Sequence, residues 1–288
     1  MWAGVEVFMS KLFLSSEDKM ILDQGFAAAF GGAPERYFSA PGRTEIGGNH
    51  TDHQRGRVLA GAVNLDTRAA VRANGTDTIR ILSKGYPMSV VNVTELTPVE
   101  AEINSTPALI RGVAARFAQL GCEVKGFDAY CESTVLPGSG LSSSAAYEVL
   151  IGTIINHLFF EGKVSQPEVA QIGQYAENVF FGKPCGLMDQ TASAVGGLVT
   201  IDFADSGNCG IEIGLIDFGQ YVFAEVGGNG LHFTGNGGIF VGQVCMIRAA
   251  VDDAQGMAAG TEIEGNGLDD GFALLEEVDG HQIAVSIP

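Results

Sequence analysis

The chain has 288 residues, 46% hydrophobic and 17% charged, and a formal net charge of −18 at pH 7. That length allows a sizeable core in one large domain or two lobes. The acidity excludes nucleic acid and anionic membrane surfaces as natural partners, and no apolar run is long enough to span a bilayer. The five cysteines (122, 131, 185, 209 and 245) are odd in number and lack metal-type spacing, which fits reduced thiols in a cytosolic chain. Residues 1–10 have no basic region and no cleavage site, so the expected location is cytoplasmic.

Residues 16–30 read as an amphipathic helix, with Leu22, Phe26, Ala29 and Phe30 on one face and Gly31-Gly32 as its stop. A short strand over 37–43 enters a polar loop over 44–54. There Glu45, Asn49, His50, Asp52, His53 and Gln54 crowd around Gly47-Gly48, a density of polar groups unsuited to a core. Residues 58–71 are small and apolar, and 68–73, Asn74-Gly75 and 79–82 read as a hairpin. A second amphipathic helix spans 107–120. An alternating strand over 127–136 then leads into Leu136-Pro137-Gly138-Ser139-Gly140-Leu141-Ser142-Ser143-Ser144, and an apolar helix to 160 leads out. Cys131 on the strand and His157 on the helix read as core residues. Ser165-Gln166-Pro167-Glu168 opens a helix expected to reach about 181. Strands are expected at 197–203, 210–218, 221–226 and 282–287, a glycine turn at 235–238, an apolar run at 239–247 and a helix at 249–259. The mixed order implies an α+β fold in two lobes, 1–195 and 196–288.

Gly138 and Gly140 carry no Cβ, so the backbone there can bend sharply and approach a ligand closely. The serines that follow open a helix whose first N–H groups have no internal partner and suit a phosphate. Their hydroxyls can add a Mg²⁺ ligand or a further hydrogen bond. The plain alternative is a flexible turn with a serine N-cap. Three polar clusters stand out: Arg43 with Asn49-His50-Thr51-Asp52, the glycine–serine turn, and Glu177 with Asp189. Phosphoryl transfer needs a phosphate cradle, a metal, an oriented nucleophile and a nearby cation. Simpler readings exist for single members: a surface ion pair for Arg43, a solvated helix residue for Glu177, loop surface for His53, packing for Met188.

These residues also carry a resemblance. Pro41-Gly42-Arg43-Thr44-Glu45-Ile46-Gly47-Gly48-Asn49-His50-Thr51-Asp52 resembles the galactokinase signature in an Asn-His-Thr-Asp form. Residues 136–146 resemble the phosphate loop of the GHMP kinases, and Cys185-Gly186-Leu187-Met188-Asp189-Gln190 the galactokinase segment with the active-site aspartate. The resemblance implies a two-lobed GHMP kinase-like fold with mixed sheets, its active site between the lobes, and ATP-dependent phosphorylation of the C1 hydroxyl of galactose. Asp189 would act as general base or electrostatic orienter, with Arg43 beside it. Asn49, His50, Asp52 and Gly186 would meet the sugar. Pro137, Gly138, Ser139, Gly140, Leu141, Ser142, Ser143 and Ser144 would hold the phosphates of ATP, and Ser144 with Glu177 the Mg²⁺ ion. Many galactokinases have Glu where this chain has Asn49. The family also runs longer, so the second lobe is expected to be shortened, with a degraded third motif at 234–238. Two alternatives follow: a catalytically silent sensor of galactose and ATP, and a kinase for N-acetylgalactosamine.

Overall fold

The computed structural model describes residues 14–204, 212–215, 233–235, 238–240, 272–278 and 281–286. They fall into two compact units: residues up to Pro137 with Leu141–Gly214, and Gly138–Gly140 with the residues from Leu215 on. In the first unit, helix α1 (Ser16–Phe30) is followed by β1 (Arg36–Gly47), a 3-10 turn (Thr51–Gln54), β2 (Arg57–Ala73), β3 (Thr78–Ser83) and β4 (Ser89–Asn92). Then come α2 (Thr106–Gln119), β5 (Phe127–Ser133), α3 (Ser143–Phe159), α4 (Gln166–Tyr175), a π-helical turn (Ala176–Phe181), α5 (Met188–Val195), β6 (Leu198–Asp202) and β7 (Glu212–Leu215). Beyond Leu215 the described elements are two antiparallel hairpins, β8 (Phe233–Gly235) with β9 (Gly238–Phe240), and β10 (Phe272–Val278) with β11 (His281–Ser286).

The sheet follows the order β4-β3-β5-β2-β6-β7, with β1 on β2. Only β3 and β5 pair in parallel among its described registers, so the sheet is mixed. The long strand β2 carries β1 along one edge, while β5 and β6 share the other. Its two faces are buried against different partners. Ala69 and Val71 join a large core with Ile110, Val113 and Phe117 of α2, Leu150 and Ile154 of α3, and Val169 of α4. Ala70 faces the other way, against Leu22 and Phe26 of α1. Burial on both faces is why β5 shows no clean alternation along 127–131.

Several expected elements change in detail. The hairpin expected from 68–73 and 79–82 does not form: β2 and β3 do not pair, because β5 lies between them. Charge explains part of this insertion. Asp128 of β5 is 1% exposed and binds Arg80 of β3 through two 2.8 Å hydrogen bonds, while Asn74 donates to it from the end of β2 at 2.8 Å. The first strand runs on to Gly47 rather than stopping at 43, so residues 44–47 of the expected polar loop are strand. The strand at 127 ends at Ser133 rather than 136. The helix from Gln166 gives way at Ala176 to a π-helical turn. His157 is only half-buried, its ring against Phe38. Helix α1 keeps its expected bounds, with Ser15 accepting the Asp18 N–H and Gly31 at φ 74° ending it. The strand expected at 221–226, most of the run at 239–247 and the helix at 249–259 lie outside the described residues.

Candidate active site

Strand β1 carries Arg43 to the site. Its register against β2 shifts between Pro41 and Arg43, and such a bulge re-aims the side chain that follows it. Gly42 sits in the bulge, where a Cβ would come within 2.9 Å of the Leu141 carbonyl. The Arg43 N–H donates to that same carbonyl at 3.1 Å, tying the strand to the end of the glycine–serine turn. Arg43 is buried, and its side chain forks onto Asp189, with Nε 2.6 Å from Oδ1 and a terminal nitrogen 2.6 Å from Oδ2. Asp189 opens α5 and remains 31% exposed, so the carboxylate, not the guanidinium, is the group a ligand can reach. Ser142 donates a further hydrogen bond to Oδ2. Burial alone would raise the Asp189 carboxyl. The hydrogen bonds and charge of Arg43, the Ser142 hydroxyl and the charge of His50 together outweigh burial and hold it below its ordinary value.

Asn49 and His50 both adopt the left-handed conformation, at φ 54° and 52°, and both are exposed. Glu45 fixes this corner: its Oε1 accepts the His50 N–H at 2.8 Å, and its Oε2 lies 3.2 Å from His50 Nε2. Asp52 follows in the 3-10 turn and points toward the start of α5, where its Oδ2 accepts the Met188 N–H at 3.4 Å. The fit there depends on Gly186, because a Cβ on that residue would lie 1.7 Å from Asp52 Oδ2. Arg43, Asp52, Gly186, Asp189 and Ser142 are thus brought together within the first unit.

The remaining predicted residues divide. Pro137 and Leu141–Ser144 belong to the first unit, and Gly138–Gly140 group with the second. Gly138 and Gly140 take φ 79° and 77°, which only glycine adopts without strain. Ser142 is the N-cap position of α3, yet its side chain makes no capping bond, which corrects the reading of the turn as a serine N-cap. Glu177 is 3% exposed, not a solvated helix residue. The π-helical turn carries it inward, where Lys183 Nζ lies 3.3 Å from Oε1 and Gln190 Nε2 3.0 Å from Oε2. Among the described residues no group of three or more His, Cys, Asp or Glu is arranged to hold a metal by itself.

Glu148 and Lys183 escaped the sequence reading, and Glu45 and Gln190 were read only as members of the polar loop and of the motif at 185–190, with no role of their own. Glu148 left a signal, as the one acid in the apolar run of α3, where it is fully buried. Its Oε2 accepts from Gln190 Nε2 at 3.0 Å. Gln190 follows Asp189 directly and links Glu148 to Glu177. Lys183 gave no signal, since it looks like any surface charge.

Comparison with known proteins bears on the family and the fold. Residues 108–197 match the GHMP kinases N terminal domain, and residues 24–73 match the galactokinase galactose-binding signature. The mevalonate kinase of Methanococcus jannaschii shares the fold, with a TM-score of 0.52 at 16% identity over 65% of this chain and 56% of that one. Two stretches of the chain, 24–73 and 108–197, are thus similar to the galactokinase signature and to the GHMP kinase N-terminal domain. The curated relatives it matches are galactokinases. The galactokinase of Clostridium tetani is 32% identical over 72% of this chain and 53% of its own length, and that of Streptomyces coelicolor 36% identical over 59% and 43%. The structure of Lactococcus lactis galactokinase complexed with galactose superposes with a TM-score of 0.62 at 27% identity, covering 70% of this chain and 53% of that one. The chain therefore spans about half the length of the curated relatives it matches.

Proposed function

We propose that this chain transfers the γ-phosphoryl group of ATP to the anomeric hydroxyl of galactose. The observation that carries the reading is the forked Arg43–Asp189 pair, with Asp189 ionised and partly exposed and Ser142 of the phosphate-loop segment bonded to it. An ionised carboxylate accepts a hydrogen bond from the sugar C1 hydroxyl and orients its oxygen for in-line attack. The buried guanidinium keeps that carboxylate ionised and adds positive charge near the transferring group. Asn49, His50 and Asp52 hydrogen-bond the other sugar hydroxyls, and the bare Cα of Gly186 leaves room for them. Gly138–Ser144 supply backbone amides to the phosphates, with Pro137 leading into the turn.

The donors for a Mg²⁺ ion fit in kind. Glu177 and Ser144 offer hard oxygen atoms, and Mg²⁺ uses one or two protein ligands beside substrate phosphates. A cation, the Lys183 ammonium, already stands 3.3 Å from Glu177 Oε1. When bound, Mg²⁺ neutralises charge on the β- and γ-phosphates. We take residues 1–195 to carry these contacts, with 196–288 as the second lobe. We place the protein in the cytoplasm, with sugar and MgATP as its partners rather than nucleic acid or membrane. No described helix is long and apolar enough to cross a bilayer.

The test is a coupled ADP-release assay with galactose and MgATP, run beside Asp189→Asn. Galactose-dependent turnover in the wild type, lost in the variant, is the expected result. Equal background release from both proteins defeats the proposal. Galactose and ATP binding without turnover would point to a silent sensor, and turnover on N-acetylgalactosamine alone to a different substrate.

A further inference from the structure

A serine at a helix N-cap ordinarily has extended backbone and accepts an N–H of the first turn. Ser142 does neither. Its backbone is left-handed, at φ 56° and ψ 62°, and its side chain makes no capping bond. Side chains other than Gly, Asn and Asp rarely occupy this region, and when they do the surroundings hold them there. Here the hold comes from both sides. The Leu141 carbonyl accepts the Arg43 N–H at 3.1 Å, and the Leu141 side chain is 2% exposed. The Ser142 carbonyl accepts the Ala146 N–H at 3.1 Å, which starts α3. The hydroxyl freed from capping donates to Asp189 Oδ2.

Counting acceptor sites shows what this bond does. An ionised carboxylate offers about four lone-pair positions. Arg43 occupies one on each oxygen, and Ser142 takes the second on Oδ2. One position remains, on Oδ1. We propose that Ser142 is a positioning residue: its left-handed backbone aims the hydroxyl at Asp189 so that Oδ1 alone is left to accept the substrate hydroxyl. Without the serine, Oδ2 also accepts, and the substrate can sit in two orientations of which one is aligned for attack. The catalytic consequence rests on the phosphoryl-transfer reading above, whereas the effect on the carboxylate does not. Arg43 and His50 also act on Asp189, Glu148 interacts with it as well, and none of the three is altered by a change at 142.

The experiment uses Ser142→Gly and Ser142→Ala in the full chain. Glycine accepts the left-handed backbone without a Cβ, and alanine keeps the strain; both lack the hydroxyl. The Asp189 carboxyl is followed by ¹³C NMR titration, with its resonance assigned through Asp189→Asn. The expected result is an upward shift of the Asp189 titration in both variants, while Ser142→Gly melts no lower than Ser142→Ala. In the coupled assay kcat falls about ten- to hundred-fold in both, the loss of one hydrogen bond to a charged group, while the galactose KM stays within about threefold. A purely structural serine predicts the opposite: full kcat for Ser142→Gly once it folds. An Asp189 titration unchanged in Ser142→Gly overturns the proposal. A wild type that releases no ADP removes the kinase reading, and the NMR titration still decides the role of Ser142.

Discussion

Glu148 allows a prediction independent of any activity. It is fully buried on α3, and Gln190 Nε2 divides its two hydrogens between Glu148 Oε2 and Glu177 Oε2, each at 3.0 Å. Two buried side-chain oxygens beside this amide, Glu148 Oε1 and Gln190 Oε1, have no partner when Glu148 is treated as an acceptor. A proton on Glu148 turns Oε1 from an acceptor into a donor, the kind of group that these two unpartnered oxygens lack. The electrostatics agree: burial first, then the negative charge of Glu177, push the Glu148 carboxyl well above 4.5, against the Gln190 bond and the charge of Lys183. Glutamine has the shape and the hydrogen-bonding pattern of the protonated acid. Glu148→Gln should therefore fold within about 1 kcal/mol of the wild type at pH 7. Glu148→Ala leaves a cavity and orphans the Gln190 amide, at a cost of about 3 kcal/mol or more. For a domain of this size that is a fall in Tm of about 6–12 °C. The pH dependence has a definite sign. The folded state binds the Glu148 proton more tightly than the unfolded chain does, so this contribution is complete below about 4.5 and declines as pH rises from there toward the folded-state value. Glu148→Gln lacks the decline. Differential scanning calorimetry from pH 4.5 to 7.5 should show the variant gaining on the wild type as pH rises. A constant difference across that range, or a Glu148→Gln that melts as low as Glu148→Ala, refutes the neutral acid.

Other predictions follow from single contacts. Gly186→Ala puts a Cβ where Asp52 Oδ2 now lies, 1.7 Å away, so the carboxylate must leave; galactose should no longer raise the Tm of the variant, as it should for the wild type. Arg43→Lys replaces a fork with a point charge and cannot engage both Asp189 oxygens, so the Asp189 titration should move up and kcat fall more than about tenfold. Because that carboxyl is depressed in the folded state, the stability from the ion pair is present above about 3.8 and lost as pH falls further, and Arg43→Lys should shrink the loss. Asn156 is 3% exposed and pairs with both the carbonyl and the N–H of Val164, at 2.8 and 3.1 Å; Asn156→Ala should cost about 2 kcal/mol or more in urea unfolding and expose the Val164 amide to hydrogen exchange.

What was legible in the sequence had a local cause. Helix α1 could be placed because an apolar face and a glycine pair mark it, and α4 because Ser165 and Glu168 cap each other reciprocally. The pairing of Arg43 with Asp189 came from motif resemblance; no local pattern links residues 146 positions apart. Strand partners were not legible. Asn74-Gly75 is a good turn, but a turn does not decide whether the flanking strands pair. An apolar strand with burial on both faces, supplied some fifty residues later, takes the place between them. Nor could sequence show that the helix at Ala176 changes pitch, and so that Glu177 turns inward.

Two acids of this site share one arrangement. Each is held by neighbours that leave part of it unused: Arg43 and Ser142 leave one position of the partly exposed Asp189, and Gln190 leaves one oxygen of the buried Glu148. Removing a partner from such a group costs more than making the bond contributed, because the group stays buried with nothing to bind. The positions of Asp189 and Glu177 are therefore set by residues behind them, on β1, at the start of α3 and within α5. For that reason, substitutions at Ser142 or Gln190, which look like minor polar changes, should alter the site more than substitutions at the exposed Asn49, whose side chain meets solvent.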